Sequence, residues 1–351
     1  MRRALALAAG GWVQVAPNPM VGAVVVREGR VVGEGFHTAY GAPHAEVEAL
    51  RAAGGAARGA VLYVTLEPCM HHGKTPPCTD AIVAAGVRRV VFAAADPSAD
   101  AGGGGARLRH AGVEVEGGLE ERAALDLNAA FFFGIAGATR PWIALKLALT
   151  LDARVADAER RSAWITGEVA RHEVHRLRAS FDAVAVGIGT ALADDPLLTV
   201  RGAVQPRTPP SRVVFDRQLR LPPAGRLARS VDQGPVIVVA SPGAPAVRRR
   251  ALEATGVRVL FAEGLEAGLG ALREVGIVSL LFEGGAEIAG SLLAAGVVDR
   301  LHLFIAPLFL GAGGADPFAA LPASSIGAAH RWCRLGAESF GADTLITLSR
   351  E

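Results

Sequence analysis

The chain has 351 residues, of which 51% are hydrophobic and 20% are charged, and its formal net charge at pH 7 is +2. This length predicts two domains, and the nearly balanced charge argues against a protein that binds nucleic acid through a strongly basic surface. No uninterrupted apolar run of about 18 residues occurs, so we expect no membrane span. The cysteine count of three is odd, which does not suit a disulfide framework and favours a reducing, cytoplasmic location.

The first segment has features of both a signal peptide and a helix. Arg2 and Arg3 precede a run of alanines and leucines that ends at Ala9, as in a secretory signal. The run is short and no cleavage motif follows it, so we predict an opening helix over residues 4–10. Apolar segments at 21–27 and 31–34 then predict a hairpin.

A proline opens the next predicted helix. Pro43 precedes a helical pattern that stops at the glycine pair 54–55, so we expect a helix from His44 to about Ala53. His44 and Glu46 then share its first turn.

Two cysteines follow, each beside a predicted element. A buried strand at 61–66 places Cys69 just beyond its carboxyl end, and Cys78 directly precedes a helix predicted over 79–85. A helix N-terminus favours the thiolate, which is the form of cysteine that binds metal.

Together these residues form the pattern His-x-Glu, Pro-Cys and a later Cys, which is similar to the signature of zinc-dependent base deaminases. One imidazole and two thiolates leave a fourth tetrahedral position for water, and zinc lowers the pKa of that water to roughly 7. Glu46 is the candidate that carries protons from this water to the substrate ring and the leaving amine. In the alternative, a structural zinc site, His71 or His72 closes the fourth position.

The rest of the first half alternates strands with helices, which implies a sheet rich in parallel strands with helices on its faces. The predicted elements are a strand at 89–95, a glycine-rich loop at 101–105, a helix at 106–111, a strand at 113–116 and a helix at 119–134. The loop is either a flexible connection or a substrate contact. Arg140-Pro141 interrupts the series, so we predict domains at 1–139 and 140–351.

The second half repeats the alternation but not the His-x-Glu or cysteine motif, so it is not a duplicated deaminase. Its predicted strands lie at 142–149, 183–188, 212–216, 235–240, 257–261, 278–282 and 300–306, with a final pair at 331–335 and 343–348. Its predicted helices lie at 168–180, 247–255, 266–274 and 286–295.

A second candidate site begins where Glu283 leads through two glycines into a helix. Such a turn either binds phosphate through backbone amides or is an ordinary tight turn, and the strict dinucleotide fingerprint is absent. Trp164 either stacks on a flat ring or fills core, and Thr166 is a candidate helix N-cap. Other polar residues near strand ends favour a ligand site, although each also fits a solvated charge or a cap: Lys146, Asp152, Thr190, Asp194, Asp195 and Arg201.

These motifs resemble those of the bifunctional riboflavin-biosynthesis deaminase–reductase family over nearly the whole chain. The first half carries the matching stretches 17–22, 44–47, 65–69 and 75–79, and the second half carries 146–147, 151–152, 164–167, 192–201 and 283–286. The long loop between Cys69 and Cys78 separates this family from cytidine and tRNA adenosine deaminases.

The resemblance implies a two-domain α/β protein: a cytidine-deaminase-like α/β/α domain followed by a dihydrofolate-reductase-like α/β domain. The first would hydrolytically deaminate 2,5-diamino-6-(5-phosphoribosylamino)pyrimidin-4-one. The second would use NADPH to reduce the ribosyl group of the resulting 5-amino-6-(5-phosphoribosylamino)uracil to ribityl. It also implies a homo-oligomer that acts on small molecules, with no nucleic-acid or membrane partner.

The resemblance also assigns residues. The Zn²⁺ ligands are His44, Cys69 and Cys78, and Glu46 is the proton shuttle. The substrate contacts in the reductase are Ser162, Arg178, Leu198, Arg201 and Glu283. The NADPH contacts are Ala148, Trp164, Thr190, Asp194, Gly285, Ala286, Glu287, Ile288, Ala289, Gly290 and Ser291. Forked hydrogen bonds from Arg178 and Arg201 suit a substrate phosphate, and the glycine turn suits the cofactor's pyrophosphate.

Among the departures from the family pattern, four concern a candidate site or a turn. Met70 and Lys74 replace residues that border the deaminase substrate. Ala153 replaces a glycine in a Leu-Asp-Gly turn, which matters if that turn needs a positive φ. Arg217 replaces a serine, and it either binds the 2′-phosphate of NADPH or faces solvent.

Two other hypotheses compete with the bifunctional enzyme. In one, the second half has lost catalysis and serves as an oligomerisation or ligand-binding module beside an active deaminase. In the other, the protein modifies a flipped RNA base, for which a basic groove with exposed aromatic residues is expected. The chain has only two tyrosines and four tryptophans, which disfavours the second of these.

Overall fold

A computed structural model of the chain describes residues 1–73, 75–98 and 101–350, so Lys74 lies outside the described residues. The chain divides into two compact units, Met1–Ala138 and Thr139–Glu351. Within the described residues, no helix combines the length and apolar character needed to cross a bilayer.

A five-stranded sheet forms the centre of the first unit. Its strands are β1 (Gly22–Arg27), β2 (Arg30–Phe36), β3 (Val61–Leu66), β4 (Arg89–Ala94) and β5 (Glu114–Gly117). They lie in the order β2-β1-β3-β4-β5. The first two form the predicted antiparallel hairpin, while β3, β4 and β5 run parallel as the strand–helix alternation predicts.

Helices cover this sheet, as the predicted α/β/α arrangement requires. They are α1 (Arg2–Ala8), α2 (Ala45–Ala53), α3 (Cys78–Ala84), α4 (Gly104–His110), α5 (Glu121–Leu127) and α6 (Ala129–Ile135), with short 3-10 turns at Ala9–Gly11 and Gly54–Ala57. The core consists mainly of small and branched apolar side chains on β1, β3, β4 and α2, among them Val25, Ala49, Leu62 and Val90, which are fully buried.

The single helix predicted over 119–134 is wrong, because Asn128 divides it into α5 and α6. The Asn128 side chain accepts a hydrogen bond from the backbone N–H of Met20 (2.8 Å) and donates one to its carbonyl (2.9 Å). A side chain that pairs with a neighbouring backbone competes with continued helix, which explains the break.

The glycine-rich segment 101–105 is packed rather than a loose connection. A Cβ atom at Gly104 would lie 1.7 Å from the carbonyl oxygen of Pro68, so only glycine permits this approach. Helix α4 consequently begins at Gly104, two residues earlier than predicted, and this segment packs directly against the residues that precede Cys69.

A nine-stranded sheet forms the second unit. Its strands are β6 (Trp142–Thr150), β7 (Ala183–Gly187), β8 (Ser211–Phe215), β9 (Val236–Ala240), β10 (Arg258–Phe261), β11 (Ser279–Glu283), β12 (Arg300–Ala306), β13 (Trp332–Phe340) and β14 (Asp343–Arg350). Their order is β10-β9-β8-β7-β11-β6-β12-β14-β13. Strands β6 to β12 are paired in parallel, and the predicted final pair joins β12 in antiparallel fashion.

The helices of the second unit are α7 (Glu168–Ala179), α8 (Ile188–Asp194), α9 (Ala246–Glu253), α10 (Gly264–Glu274) and α11 (Ala286–Ala294), with a 3-10 segment at Ala228–Gln233. The predictions include all of them except α8, which follows β7 directly at Gly187. The N-cap of α7 is Gly167 and not Thr166, and the Asp343 carboxylate accepts a hydrogen bond from the Gly167 N–H (2.7 Å).

Candidate functional sites

Three side chains converge in the first unit at the carboxyl end of β3. His44 is the N-cap residue of α2, Cys69 lies three residues beyond β3, and Cys78 is the first residue of α3. The Nδ1 atom of His44 lies 3.5 Å from the Cys69 sulfur and 3.3 Å from the Cys78 sulfur. The three ligand atoms all lie within 4.8 Å of one another.

This donor set fits zinc. Zinc bond lengths of about 2.3 Å to sulfur and 2.0 Å to nitrogen, in a tetrahedron, place the nitrogen and each sulfur about 3.5 Å apart. The observed separations of 3.3 and 3.5 Å are close to that value. Among the residues that the structure describes, no fourth His, Cys or carboxylate joins the cluster, and neither His71 nor His72 belongs to it. The arrangement is therefore that of a catalytic zinc site, which keeps one position open.

The two thiols differ in acidity. Hydrogen bonds from Cys78 and His44 lower the pKa of Cys69 to about 4, although burial opposes them. The hydrogen bond to Cys69, together with burial, raises the pKa of Cys78. The backbone N–H of Cys78 also points at the Cys69 sulfur, 3.4 Å away. The cluster therefore stabilises a thiolate, which is the form of cysteine that binds a cation.

Glu46 faces this cluster from the first turn of α2 without joining it. Its side chain is 3% exposed, and burial raises its pKa although the nearby His44 opposes the shift. A carboxylate whose pKa is raised takes up and releases a proton more readily near neutral pH, which is the property that a proton shuttle needs.

A buried network supports the site from the other side. His37 is 2% exposed, its Nδ1 donates to the Pro43 carbonyl (3.1 Å), and its Nε2 accepts from the Asn18 amide (3.1 Å). The His37 ring packs edge-on against the His44 ring, with centroids 5.4 Å apart. Sequence reasoning did not assign His37, although Asn18 lies in the Pro-Asn-Pro motif that marks this region.

In the second unit, a cleft of about 2010 Å³ opens at the carboxyl ends of β6, β11, β7 and β8. Ligands of parallel α/β sheets bind at this edge. Sites for one small ligand usually measure about 300–1,000 Å³, so this cleft has room for two.

A buried charged cluster lies in the cleft. Arg178 of α7 forks onto Glu283, the last residue of β11, with Nη2 2.9 Å from Oε2, and its Nη1 donates to the Thr199 carbonyl (2.9 Å). Lys146 of β6 approaches the same carboxylate at 3.9 Å. Burial alone would raise the pKa of Glu283, but Arg178 and then Lys146 outweigh it and lower the pKa to about 2.

Lys146 and His175 are brought into this cluster. The sequence indicated Lys146 only as a polar residue near a strand end, without a role, and it did not indicate His175. Burial lowers the pKa of Lys146 although Glu283 opposes the shift. His175 accepts a hydrogen bond from the Arg201 N–H (3.3 Å), and burial followed by the charge of Arg178 lowers its pKa to about 4. The sequence signal for Lys146 was a lone lysine inside an otherwise apolar strand.

The glycine turn forms a cradle beside this cluster. Gly284 and Gly285 have φ values of +63° and +82°, which glycine adopts without strain. A Cβ atom at Gly285 would lie 3.0 Å from the Thr190 hydroxyl, so the turn leaves space that a side chain would fill. Gly285 caps the nine-residue helix α11, whose free N–H groups suit a pyrophosphate. These residues fit a dinucleotide cofactor.

The cleft gathers all but two of the residues that the family resemblance assigned to cofactor and substrate. Those lining it are Ala148, Ser162, Trp164, Arg178, Thr190, Asp194, Leu198, Arg201, Glu283, Gly285, Ala286, Glu287, Ile288 and Ser291. Trp164 is 75% exposed, and the Arg171 guanidinium lies 4.5 Å from its ring centroid, so Trp164 does not fill core.

Ala289 and Gly290 do not line the cleft. Ala289 is fully buried in the core beneath α11, and a Cβ at Gly290 would lie 2.8 Å from the backbone nitrogens of Ala320 and Leu321. The helical period explains the difference: positions 287, 288 and 291 share one face of α11, while 289 and 290 turn toward the protein.

Comparisons with known proteins agree with both sites. The family model "Cytidine and deoxycytidylate deaminase zinc-binding region" matches residues 1–94, and "RibD C-terminal domain" matches residues 141–346. "Riboflavin biosynthesis protein RibD" of Aquifex aeolicus is 44% identical over 316 residues, which cover 89% of this chain and 87% of that protein.

Two solved structures extend the likeness over the whole fold. The structure "Acinetobacter baumannii RibD, form 1" is 37% identical with a TM-score of 0.85, and it covers 100% of this chain and 97% of its own. A Thermotoga maritima protein described as a diaminohydroxyphosphoribosylaminopyrimidine deaminase and 5-amino-6-(5-phosphoribosylamino)uracil reductase is 36% identical with a TM-score of 0.84, at the same coverage. The chain therefore belongs to the RibD family of bifunctional deaminases and reductases in riboflavin biosynthesis.

Proposed function

We propose that the first unit deaminates 2,5-diamino-6-(5-phosphoribosylamino)pyrimidin-4-one and that the second reduces the ribosyl group of the product with NADPH. The observation that carries this proposal is the presence of two complete and different sites in one chain. One has three metal donors and a buried carboxylate, and the other is a cleft with a charged cluster beside a glycine turn.

In the deaminase, His44, Cys69 and Cys78 hold zinc, which when bound supplies a Lewis acid that makes water a nucleophile near neutral pH. Hydrolysis exchanges the exocyclic amine for oxygen and releases ammonia. Glu46 takes one proton from the water and passes it to the ring nitrogen. It then takes the second proton from the added oxygen and delivers it to the amine, which leaves as ammonia. Its burial, which keeps bulk water away, suits this repeated transfer.

In the reductase, NADPH when bound supplies a hydride to the anomeric carbon, and the ring oxygen gains a proton as the ribose opens to ribityl. The glycine turn at Gly284 and Gly285 holds the pyrophosphate, and Trp164 offers an exposed ring against which a flat group stacks. Lys146 holds the proton that the ring oxygen receives, and Glu283 keeps that ammonium oriented.

Arg201 binds the substrate phosphate. The Arg178 guanidinium donates two hydrogen bonds to the Glu283 carboxylate. Arg178 therefore orients that carboxylate and does not bind the substrate phosphate. The Arg201 side chain is exposed at the mouth of the cleft, while its backbone is fixed by His175. An exposed guanidinium on an anchored backbone can form the forked contacts that phosphate favours.

Removal of zinc tests this division of labour. Purified enzyme treated with a chelator is expected to lose ammonia release from the diaminopyrimidine substrate and to regain it when zinc is added back. NADPH oxidation with the aminouracil intermediate supplied directly is expected to continue at its original rate. If chelation leaves ammonia release unchanged, or if it stops both reactions equally, the proposal of two separate sites is wrong.

A further inference from the structure

Three arginines line one end of the reductase cleft, and the proposed mechanism uses none of them. All three lie on the segment that connects β8, which ends at Phe215, to the 3-10 segment that begins at Ala228: Arg217, Arg220 and Arg226. All three side chains are exposed, so their positive charge faces the cleft without burial cost.

The position of this arginine group along the sheet is informative. β8 lies two strands from β11, with β7 between them. Because neighbouring strands are spaced by about 4.8 Å, the end of β8 lies roughly 10 Å from the glycine turn that follows β11. In a dinucleotide whose pyrophosphate sits on that turn, an adenosine ribose and an arginine side chain together span this distance.

The three arginines differ in what already engages them. The Arg220 Nε atom lies 3.9 Å from the buried carboxylate of Asp216. Arg226 is tied to Asp195, whose carboxylate accepts from the Arg226 backbone N–H (2.8 Å). Within the described residues, no ion pair or side-chain hydrogen bond engages the Arg217 guanidinium.

The backbone at Arg217 is nevertheless fixed. Its carbonyl accepts a hydrogen bond from the Ser241 N–H (3.1 Å), and the preceding Asp216 is fully buried and accepts from the Leu221 N–H (2.8 Å). The guanidinium is thus held on a rigid base with its donors available. This is the arrangement expected of a residue that binds an anionic ligand group.

We propose that Arg217 binds the 2′-phosphate of NADPH and that it makes this enzyme select NADPH over NADH. The two cofactors differ only in that phosphate, which carries about two negative charges near pH 7. A guanidinium fork binds such a group through two parallel hydrogen bonds. Arg220 adds positive charge on the same side of the cleft, and the carboxylate that faces it is Asp216. This inference rests on the proposed reductase function.

Direct binding tests the proposal without catalysis. Calorimetry would compare 2′,5′-ADP with 5′-AMP on the whole chain and on Arg217→Ser, which restores the residue typical of the family. We expect the Kd for 2′,5′-ADP to rise about tenfold or more, as for loss of a charge-assisted contact, and the Kd for 5′-AMP to stay unchanged. Arg229→Ser removes an exposed arginine that does not line the cleft and is expected to change neither value.

Kinetics would complete the test. In Arg217→Ser, we expect the KM for NADPH to rise and that for NADH to stay constant, while ammonia release remains at the wild-type rate. If Arg217→Ser raises the KM for NADPH and for NADH equally, Arg217 has a structural role. If it changes neither KM, the Arg217 side chain only faces solvent. Either result overturns the proposal. If the wild-type chain binds neither NADPH nor NADH, the reductase function itself is wrong.

Discussion

At the scale of single residues, the first unit separates the side chains that bind metal from the one that moves protons. His44, Cys69 and Cys78 place their ligand atoms within 4.8 Å of one another, and Glu46 lies outside that group although it is buried beside it. A change at Glu46 should therefore affect catalysis and leave metal binding intact.

Glu46→Gln is expected to retain zinc and to lose ammonia release by a factor of about a hundred or more, the usual contribution of a positioned acid–base group. Metal analysis and an ammonia assay on the same preparation measure the two properties. Glu48→Gln is the matched control, because Glu48 lies two residues later on α2 and pairs with Arg51 at the surface. Undiminished turnover in Glu46→Gln would remove Glu46 from the mechanism.

Arg201→Ala tests the phosphate contact in the reductase. A charged hydrogen bond contributes about 1.5–3 kcal/mol, and solvent screening of the exposed Arg201 side chain favours the lower end of this range. We therefore expect the KM for the aminouracil intermediate to rise about tenfold. Ammonia release should not change, because Arg201 belongs to the other unit. Arg250→Ala, an exposed arginine on α9, serves as control. Equal loss of both activities in Arg201→Ala would contradict the assignment.

At the scale of elements, the sequence predicted every strand that the structure describes in the two sheets, because buried runs of valine, leucine and alanine are bounded by glycine, proline or charge. The misses have local causes that no periodicity reveals. Asn128 breaks a helix by pairing with Met20, which is distant in sequence, and Gly104 begins a helix because the Pro68 carbonyl needs the space.

The metal site was easier to predict from the sequence than the cleft of the second unit, because the cleft depends on contacts between distant segments. A short-range pattern located the metal donors, since their residue types and spacing carry the chemistry. The Lys146–Glu283–Arg178 cluster joins two neighbouring strands and a helix, so tertiary pairing alone brings it together. Ala289 and Gly290 illustrate the opposite error: a contiguous stretch was assigned to cofactor, but a helix presents only some of its residues to one ligand.

The turn after β6 contains a strained alanine. Ala153 has a φ of +55°, and its place in the family motif is a glycine. An L-residue in the left-handed region costs roughly 1–2 kcal/mol, so we expect Ala153→Gly to raise the free energy of unfolding by about 0.5–1 kcal/mol after the added backbone entropy of glycine is deducted. Urea unfolding measures this change.

Ala254→Gly provides the comparison, because Ala254 directly follows α9 with ordinary helical angles (φ −63°) and is also exposed. We expect this substitution to destabilise the protein by up to about 1 kcal/mol. If both variants lose stability, the positive φ at Ala153 is not a source of strain.

His302 makes the stability of the second unit depend on pH. It is 7% exposed on β12, and burial followed by the charge of Arg300 lowers its pKa to about 3. The unfolded chain therefore binds a proton at His302 more readily than the folded chain does. The stabilisation that neutral His302 gives to the fold is complete above about pH 6.5 and is lost as the pH falls toward 3.

Between pH 7 and pH 5, the wild-type protein should lose about 2 kcal/mol more unfolding free energy than His302→Gln, which keeps a polar side chain but does not titrate. Urea titrations followed by tryptophan fluorescence suit this comparison, because Trp142, Trp164 and Trp332 all belong to the second unit. His330→Gln, at an exposed histidine, should behave as wild type. Equal pH dependence in all three proteins would show that His302 does not titrate as described.

At the scale of the whole molecule, the chain joins two compact units with different sheets and different chemistry. The metal cluster belongs to the first unit and the large cleft to the second. In the proposed sequence, the product of the first reaction is the substrate of the second, so NADPH consumption must follow ammonia release.

A paired assay of ammonia and NADPH on the diaminopyrimidine phosphoriboside tests this order most directly. The account predicts that ammonia appears first, that NADPH oxidation begins after a lag, and that the final amounts are equal. When the aminouracil intermediate is supplied instead, the lag should vanish and no ammonia should form. NADPH oxidation that precedes ammonia release, or that proceeds from the diaminopyrimidine without it, would contradict the account.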